Sequence, residues 1–157
     1  FNSMGISGDA RAIEDLYPEM QPKVHALIAA CQAQGIDLLV TSTVRTLAEQ
    51  AALYAQGRTT PGDIVTKAKP GESFHNVRRA IDVVPLVGGK AIWTSMFWEE
   101  IGRLGENQGF VWGGTFRTRK DKPHFEWQWC EVHQTRHGKA LSFNADGTCN
   151  GPPPMSL

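Results

Sequence analysis

The chain has 157 residues, a length that fits one domain on a prior of roughly 100–200 residues per domain. A chain this long can bury about 70% of its unfolded surface and needs no staple to hold a core. Sixteen Lys plus Arg balance sixteen Asp plus Glu, 41% of residues are apolar and 20% are charged. The balance excludes a nucleic-acid binder working through bulk positive charge, a polybasic membrane module and a disordered chain. The apolar runs, such as Ala26 to Cys31 and Leu38 to Val40, fall far short of the roughly 18 residues of a membrane-spanning helix.

In chain order, Ser7 or Asp9 can cap a helix whose apolar positions Ile13, Leu16, Val24, Leu27, Ile28 and Cys31 recur at helical spacing. Pro18 and Pro22 should divide it into a short and a longer piece, and Gly35 should end the second. Ile36 to Thr43 is β-branched and apolar, a strand. Thr46-Leu47-Ala48-Glu49 is a capping box opening a helix to about Gln56, and Gly57 to Gly71 reads as a long loop. Arg79 to Val84 is a strand, Gly88-Gly89 a turn before Ala91 to Trp93, and Thr94 or Ser95 the cap of a helix to about Asn107. Phe110 to Trp112 and His124 to Trp129 complete a small sheet. Helices precede strands without strict alternation, so the expected class is α+β with an antiparallel sheet. Residues 5–150 form the expected domain, with 1–3 an appended remnant ahead of Met4 and 151–157 a tail.

The three cysteines, Cys31, Cys130 and Cys149, contain no CxxC pair. They fit a reducing compartment with incidental thiols, or one disulfide with a thiol left over. No basic segment followed by an apolar stretch marks a secretory signal. His25, His133 and His137 show no partner spacing and read as surface residues.

The chemistry is concentrated in two segments. In Ser73-Phe74-His75-Asn76-Val77-Arg78-Arg79-Ala80-Ile81-Asp82, strand alternation puts Ala80, Asp82 and Val84 on one face and Ile81 and Val83 on the other. An acid in such an apolar strand is costly to bury unless paired or metal-bound. In Asp121-Lys122-Pro123-His124-Phe125-Glu126-Trp127-Gln128-Trp129, His124, Glu126 and Gln128 share a face opposite three aromatic residues. His75, Asp82 and His124 together make a two-imidazole, one-carboxylate set, the arrangement of a zinc site with a fourth position open. Zinc lowers the pKa of a bound water to about 7, and a nearby carboxylate must then carry the proton to the leaving group. Asp121 and Glu126 are the local candidates. Taken singly, each residue has a plainer reading: His75 a loop histidine beside a structural acid, Glu126 a solvent-facing sheet residue, Arg45 a surface cation, and the aromatic row core.

Together the motifs resemble the zinc peptidases of family M15, the D-alanyl-D-alanine carboxypeptidase and VanX/VanY group, and most closely its L-alanyl-D-glutamate endopeptidase branch. An SxHxxxxAxD segment is matched by Ser73, His75, Ala80 and Asp82, and an acid-x-x-His segment by Asp121 and His124. Arg45 precedes Glu49-Gln50, Leu53-Tyr54, Gln56-Gly57-Arg58-Thr59, Pro61-Gly62, Val65-Thr66, Ala68 and Gly71, as in that branch, and Trp112-Gly113-Gly114 precedes the second motif. The resemblance spans about residues 36–128. It implies the small α+β fold shared with D,D-peptidases and the hedgehog signalling domain. It further implies Zn2+ held by His75, Asp82 and His124, Asp121 as general base in preference to Glu126, Arg45 stabilising the oxyanion and binding substrate, and Ser73 beside the substrate. The implied activity is hydrolysis of L-alanyl-D-glutamate in the peptidoglycan stem peptide, by an endolysin or wall-remodelling enzyme. The alternatives are a D,D-carboxypeptidase or dipeptidase, or a zinc-stabilised module without turnover. No HExxH occurs, against a helix-borne zinc protease. The expected protein is a monomer without nucleic-acid or membrane partners, made in the cytoplasm and acting on the cell wall outside it. Arg78 stands where the family often has Gly, adding bulk and charge close to the metal strand, so a narrowed or retuned substrate cleft is expected.

Overall fold

The computed structural model describes residues 6–150; the readings of residues 1–3 and 151–157 lie outside that span. Two 3-10 turns, Ile13–Asp15 and Pro18–Met20, lead into helix α1, Gln21–Ala33. The expected first helix is therefore only a turn. Its caps are used otherwise: Ser7 donates to the Asp15 carboxylate from both its backbone N–H and its hydroxyl, and Asp9 accepts from the Arg11 N–H. Pro22 sits in the first turn of α1, where its missing N–H costs nothing. Gly35, at φ +77°, lets Ile36 N–H reach back to the Cys31 carbonyl and closes the helix.

Strand β1 (Asp37–Ser42) follows, then helix α2 (Leu47–Ala55). The capping box is complete: Glu49 N–H donates to Thr46 Oγ1 at 3.1 Å, and Thr46 N–H donates to Glu49 Oε1 at 2.9 Å. After a long loop and a 3-10 turn, Phe74–Val77, come β2 (Ala80–Val87) and β3 (Lys90–Ala91). Helix α3 (Trp98–Asn107) begins later than expected, because Ser95 Oγ accepts from Phe97 N–H in a local turn and caps no helix. Strands β4 (Val111–Trp112) and β5 (His124–Glu126) finish the main sheet, whose order is β1-β2-β5-β4, with β3 paired to β2 and every pairing antiparallel. The expected α+β architecture is the observed one.

The expected strand to Trp129 breaks after Glu126. Trp129–Cys130 forms β6, which pairs with β7 (Thr135–Arg136) in a separate two-stranded sheet. The cause is Arg79, fully buried, whose guanidinium donates to the Trp129 and Gly147 carbonyls and lies against Tyr17, Trp127 and Phe143. A buried cation needs such partners, and taking the Trp129 carbonyl pulls the chain off the main sheet.

The larger core lies between the sheet and helices α1 and α3, built on Val24, Leu27, Ile81, Val83, Ile101, Trp112 and Phe125. Gly105 of α3 packs directly on the Phe125 ring, where a methyl group would collide. Burying a ring such as that of Phe125 contributes about 1.5–3 kcal/mol, and it seats β5 from beneath. A smaller core of Phe74, Val77, Ala80, Cys130, Ala140 and Phe143 lies on the other side of β2. Among the described residues, no helix is long and apolar enough to cross a membrane.

Candidate metal centre

Antiparallel pairing sets Asp82 of β2 directly opposite His124 of β5, and the 3-10 turn brings in His75. Ser73 caps that turn, its hydroxyl accepting from the His75 N–H at 3.2 Å. His75 Nε2 and His124 Nδ1 each lie 3.3 Å from Asp82 Oδ1, and the two rings meet edge to face at 5.2 Å. One ligand atom from each residue falls within 4.8 Å of the others.

The far nitrogens are also engaged. His75 Nδ1 lies 2.6 Å from the Thr43 carbonyl, which only a ring N–H can satisfy, so Nε2 is the nitrogen turned toward Asp82. His124 Nε2 lies 2.7 Å from Glu126 Oε1, and Gln128 donates to Glu126 Oε2 at 2.9 Å. Outer partners of this kind fix the tautomer and orientation of metal-binding imidazoles. Glu126 therefore buttresses His124 from behind.

In this arrangement the charges are strongly coupled. Burial alone would raise the Asp82 carboxyl, but the charge and hydrogen bonds of His75 and His124 hold it well below the ordinary range. Burial would lower His124, yet hydrogen bonds to Asp82 and Glu126 push it up to about 10. In the metal-free protein a proton thus takes the place a cation would have. Two nitrogens and a carboxylate oxygen converging on one point, with outer partners holding the rings, are the donor set zinc takes.

Arg45 lies at the rim, with NH2 3.9 Å from Asp82 Oδ2 and NH1 donating to Gln50 Oε1 at 3.0 Å. Gln50 is fully buried and donates in turn to the Ala68 carbonyl at 2.8 Å. The Arg45 backbone is tied to the His75 turn through the His75 carbonyl and the Asn76 side chain. In the sequence Gln50 and Asn76 appear only as motif positions beside Glu49 and His75, without a role, since the partners of a buried amide leave no local pattern.

Asp121 sits on the loop before β5, its N–H donating to the Gly113 carbonyl and its own carbonyl accepting from the His124 N–H. Gly113 is required there because a Cβ would strike the Asp121 carbonyl. The Asp121 carboxyl opens on the cleft. Its pKa is raised by the surrounding protein's desolvation, opposed by His124 and reinforced by Asp82.

A cavity of about 620 Å³ is lined by Arg45, Ser73, His75, Asp82, Asp121 and His124, with Lys67, Arg119 and Lys120 also on its wall. All six sequence-predicted site residues therefore share one cleft. Arg78 is not among the residues on its wall, so no narrowing by direct contact of that side chain with the cleft is seen. Arg78 takes φ +61°, a left-handed conformation that favours Gly, and its charge acts on Asp146.

Two further expectations change. Cys130 and Cys149 form a disulfide and Cys31 is a buried free thiol, the second of the two cysteine readings. His133 and His137 are half-buried and paired, with Nδ1 to Nε2 at 3.1 Å, where the sequence reading had unpartnered surface residues; an H-x3-H spacing was the available signal.

Two imidazoles and one carboxylate that could hold a metal ion, set in a cleft on a small antiparallel sheet, are an arrangement found in metal-dependent hydrolases. The family model of the D-alanyl-D-alanine carboxypeptidases matches residues 66–127, which hold both motif segments. The chain is 37% identical to the peptidoglycan L-alanyl-D-glutamate endopeptidase CwlK of Bacillus subtilis over 136 residues, 80% of this chain and 81% of the relative. Its fold is similar to that of the L-Ala D-Glu endopeptidase ChiX of Serratia marcescens (TM-score 0.55, 20% identity, 73% of this chain and 82% of that one). It is likewise similar to the vancomycin-resistance D,D-pentapeptidase VanY in complex with Zn(II) (TM-score 0.55, 16% identity, 69% and 70%). The chain belongs to the D-alanyl-D-alanine carboxypeptidase family, peptidase family M15.

Proposed function

We propose that this peptidase is zinc-dependent and hydrolyses the L-alanyl-D-glutamate amide of the peptidoglycan stem peptide. The observation that carries the chemistry is the convergence of His75 Nε2, Asp82 Oδ1 and His124 Nδ1 with both far nitrogens held. The identity to CwlK across four-fifths of the chain supports the choice of bond.

Zinc held by these three residues would polarise the scissile carbonyl and acidify the attacking water. Asp121 accepts that water's proton and returns it to the departing amine, a task suited to a carboxyl that burial raises above its ordinary value. Arg45, held in place by Gln50, presents positive charge where the carbonyl oxygen becomes anionic. Lys67, Arg119 and Lys120 on the wall complement a substrate rich in carboxylates. Ser73 is engaged in capping the His75 turn and supports the substrate side of the cleft through that turn. Acting on wall peptide, the protein works outside the cytoplasm in which it is made.

Mass spectrometry of sacculi digested by the zinc-loaded protein tests the bond. New amino-terminal D-glutamate is the expected product. Release of terminal D-alanine instead would make the protein a D,D-carboxypeptidase.

A further inference from the structure

Beyond the cleft lies a second cluster that hydrolysis does not use. Cys130 of β6 is bonded to Cys149, 19 residues on, with Cα atoms 5.9 Å apart. His133 and His137 flank β7, their facing nitrogens 3.1 Å apart and their rings 5.3 Å apart edge to face. The Cys130 sulfur and one nitrogen from each histidine lie within 4.8 Å of one another.

Facing ring nitrogens at this distance either share a proton or grip one cation. A tetrahedral zinc with nitrogens about 2.0–2.1 Å away separates them by about 3.3 Å, close to the observed spacing. The sequence repeats the point: Cys130-x2-His133 and His133-x3-His137 have the short ligand separations of structural zinc modules. The Cys130 and Cys149 backbones are near enough for both sulfurs to reach one ion.

The geometry points to a second metal site: when the Cys130–Cys149 disulfide is reduced, Cys130, Cys149, His133 and His137 bind one thiophilic divalent cation of the zinc class. The same four residues then staple this segment by a disulfide under oxidising conditions and by a metal under reducing ones. A dithiol reductant supplies two electrons and two protons and becomes a disulfide; a phosphine supplies the two electrons while water gives the two protons and the oxygen of the phosphine oxide, and either way two thiols result. The cation displaces both thiol protons, and the imidazoles bind it as neutral ligands. The staple holds the smaller core: Phe143 packs on His137 and on Phe74, the residue before His75. A protein made in a reducing compartment and used outside it would keep this support in both.

Cobalt(II) titration of the full chain, in its disulfide form and after phosphine reduction, tests the site. The disulfide form should show no thiolate-to-cobalt charge-transfer band. The reduced form should gain that band with one further cobalt per chain. Cys130→Ser/Cys149→Ser should abolish the band, and His133→Ala/His137→Ala, which keeps its disulfide and can be checked for folding before reduction, should weaken cobalt binding at least about 10-fold. Asp82→Ala should leave the band intact, separating this site from the first. No band on reduction would overturn the proposal, as would full cobalt affinity in the histidine variant or loss of the band in Asp82→Ala.

Discussion

His124 Nε2 lies 2.7 Å from Glu126 Oε1, on the side of the ring away from Asp82. The two carboxylates near His124 thus divide their work: Asp82 faces the centre, and Glu126 holds the ring that faces it. Glu126→Gln should lower zinc affinity about 10–100-fold, with activity restored by excess zinc. Asp121→Asn should instead lose about 10²–10⁴-fold in rate with zinc content unchanged. Metal analysis alongside peptide hydrolysis distinguishes the two; equal metal loss in both would contradict the division.

Zinc must displace a proton. His124 in the metal-free protein is pushed up to about 10, so it is charged at neutral pH and must become neutral to bind metal. Calorimetric zinc titrations in buffers of different ionisation enthalpy should show proton release near neutral pH. The sign for stability follows from a folded pKa above the unfolded one of about 6.5. The contribution is complete below about pH 6.5 and is lost as pH rises through about 10, so the metal-free melting temperature should fall over that window.

Gln50 connects Arg45 to the Ala68 carbonyl. Gln50→Leu strands a buried acceptor and frees the guanidinium, which should cost about 1–3 kcal/mol of stability and up to about 10²-fold in kcat. Zinc content should not change. Steady-state kinetics and denaturant unfolding of the same variant check both halves.

Gly105→Ala reverses the usual helix preference. Alanine in a helix normally gains about 1 kcal/mol over glycine, but here the new methyl meets the Phe125 ring. Overpacking should make the variant about 1–3 kcal/mol less stable, read by chemical denaturation.

Much of the candidate site was legible in the sequence because its residues sit in two motif segments that are specific when read together: His75 and Asp82 in one, Asp121 and His124 in the other. Strand alternation also put Glu126 and Gln128 on the face of His124, where they are found bonded. The role of Glu126 was not legible, since alternation gives a face but not which nitrogen a carboxylate meets. Thr43 acts through its carbonyl, and every residue has one. The break after Glu126 depends on Arg79 reaching carbonyls 50 and 68 residues away, a tertiary demand no local pattern carries. Arg78 shows the converse: its departure from Gly was visible, but its consequence lies in backbone conformation rather than in direct contact with the cleft.

The most direct test is an anomalous difference map at the zinc edge from metal-replete, non-reducing crystals. The account predicts one strong peak among His75 Nε2, Asp82 Oδ1 and His124 Nδ1, lost in the Asp82→Ala variant. A metal-replete crystal with no density there, or with its only peak elsewhere, would contradict it.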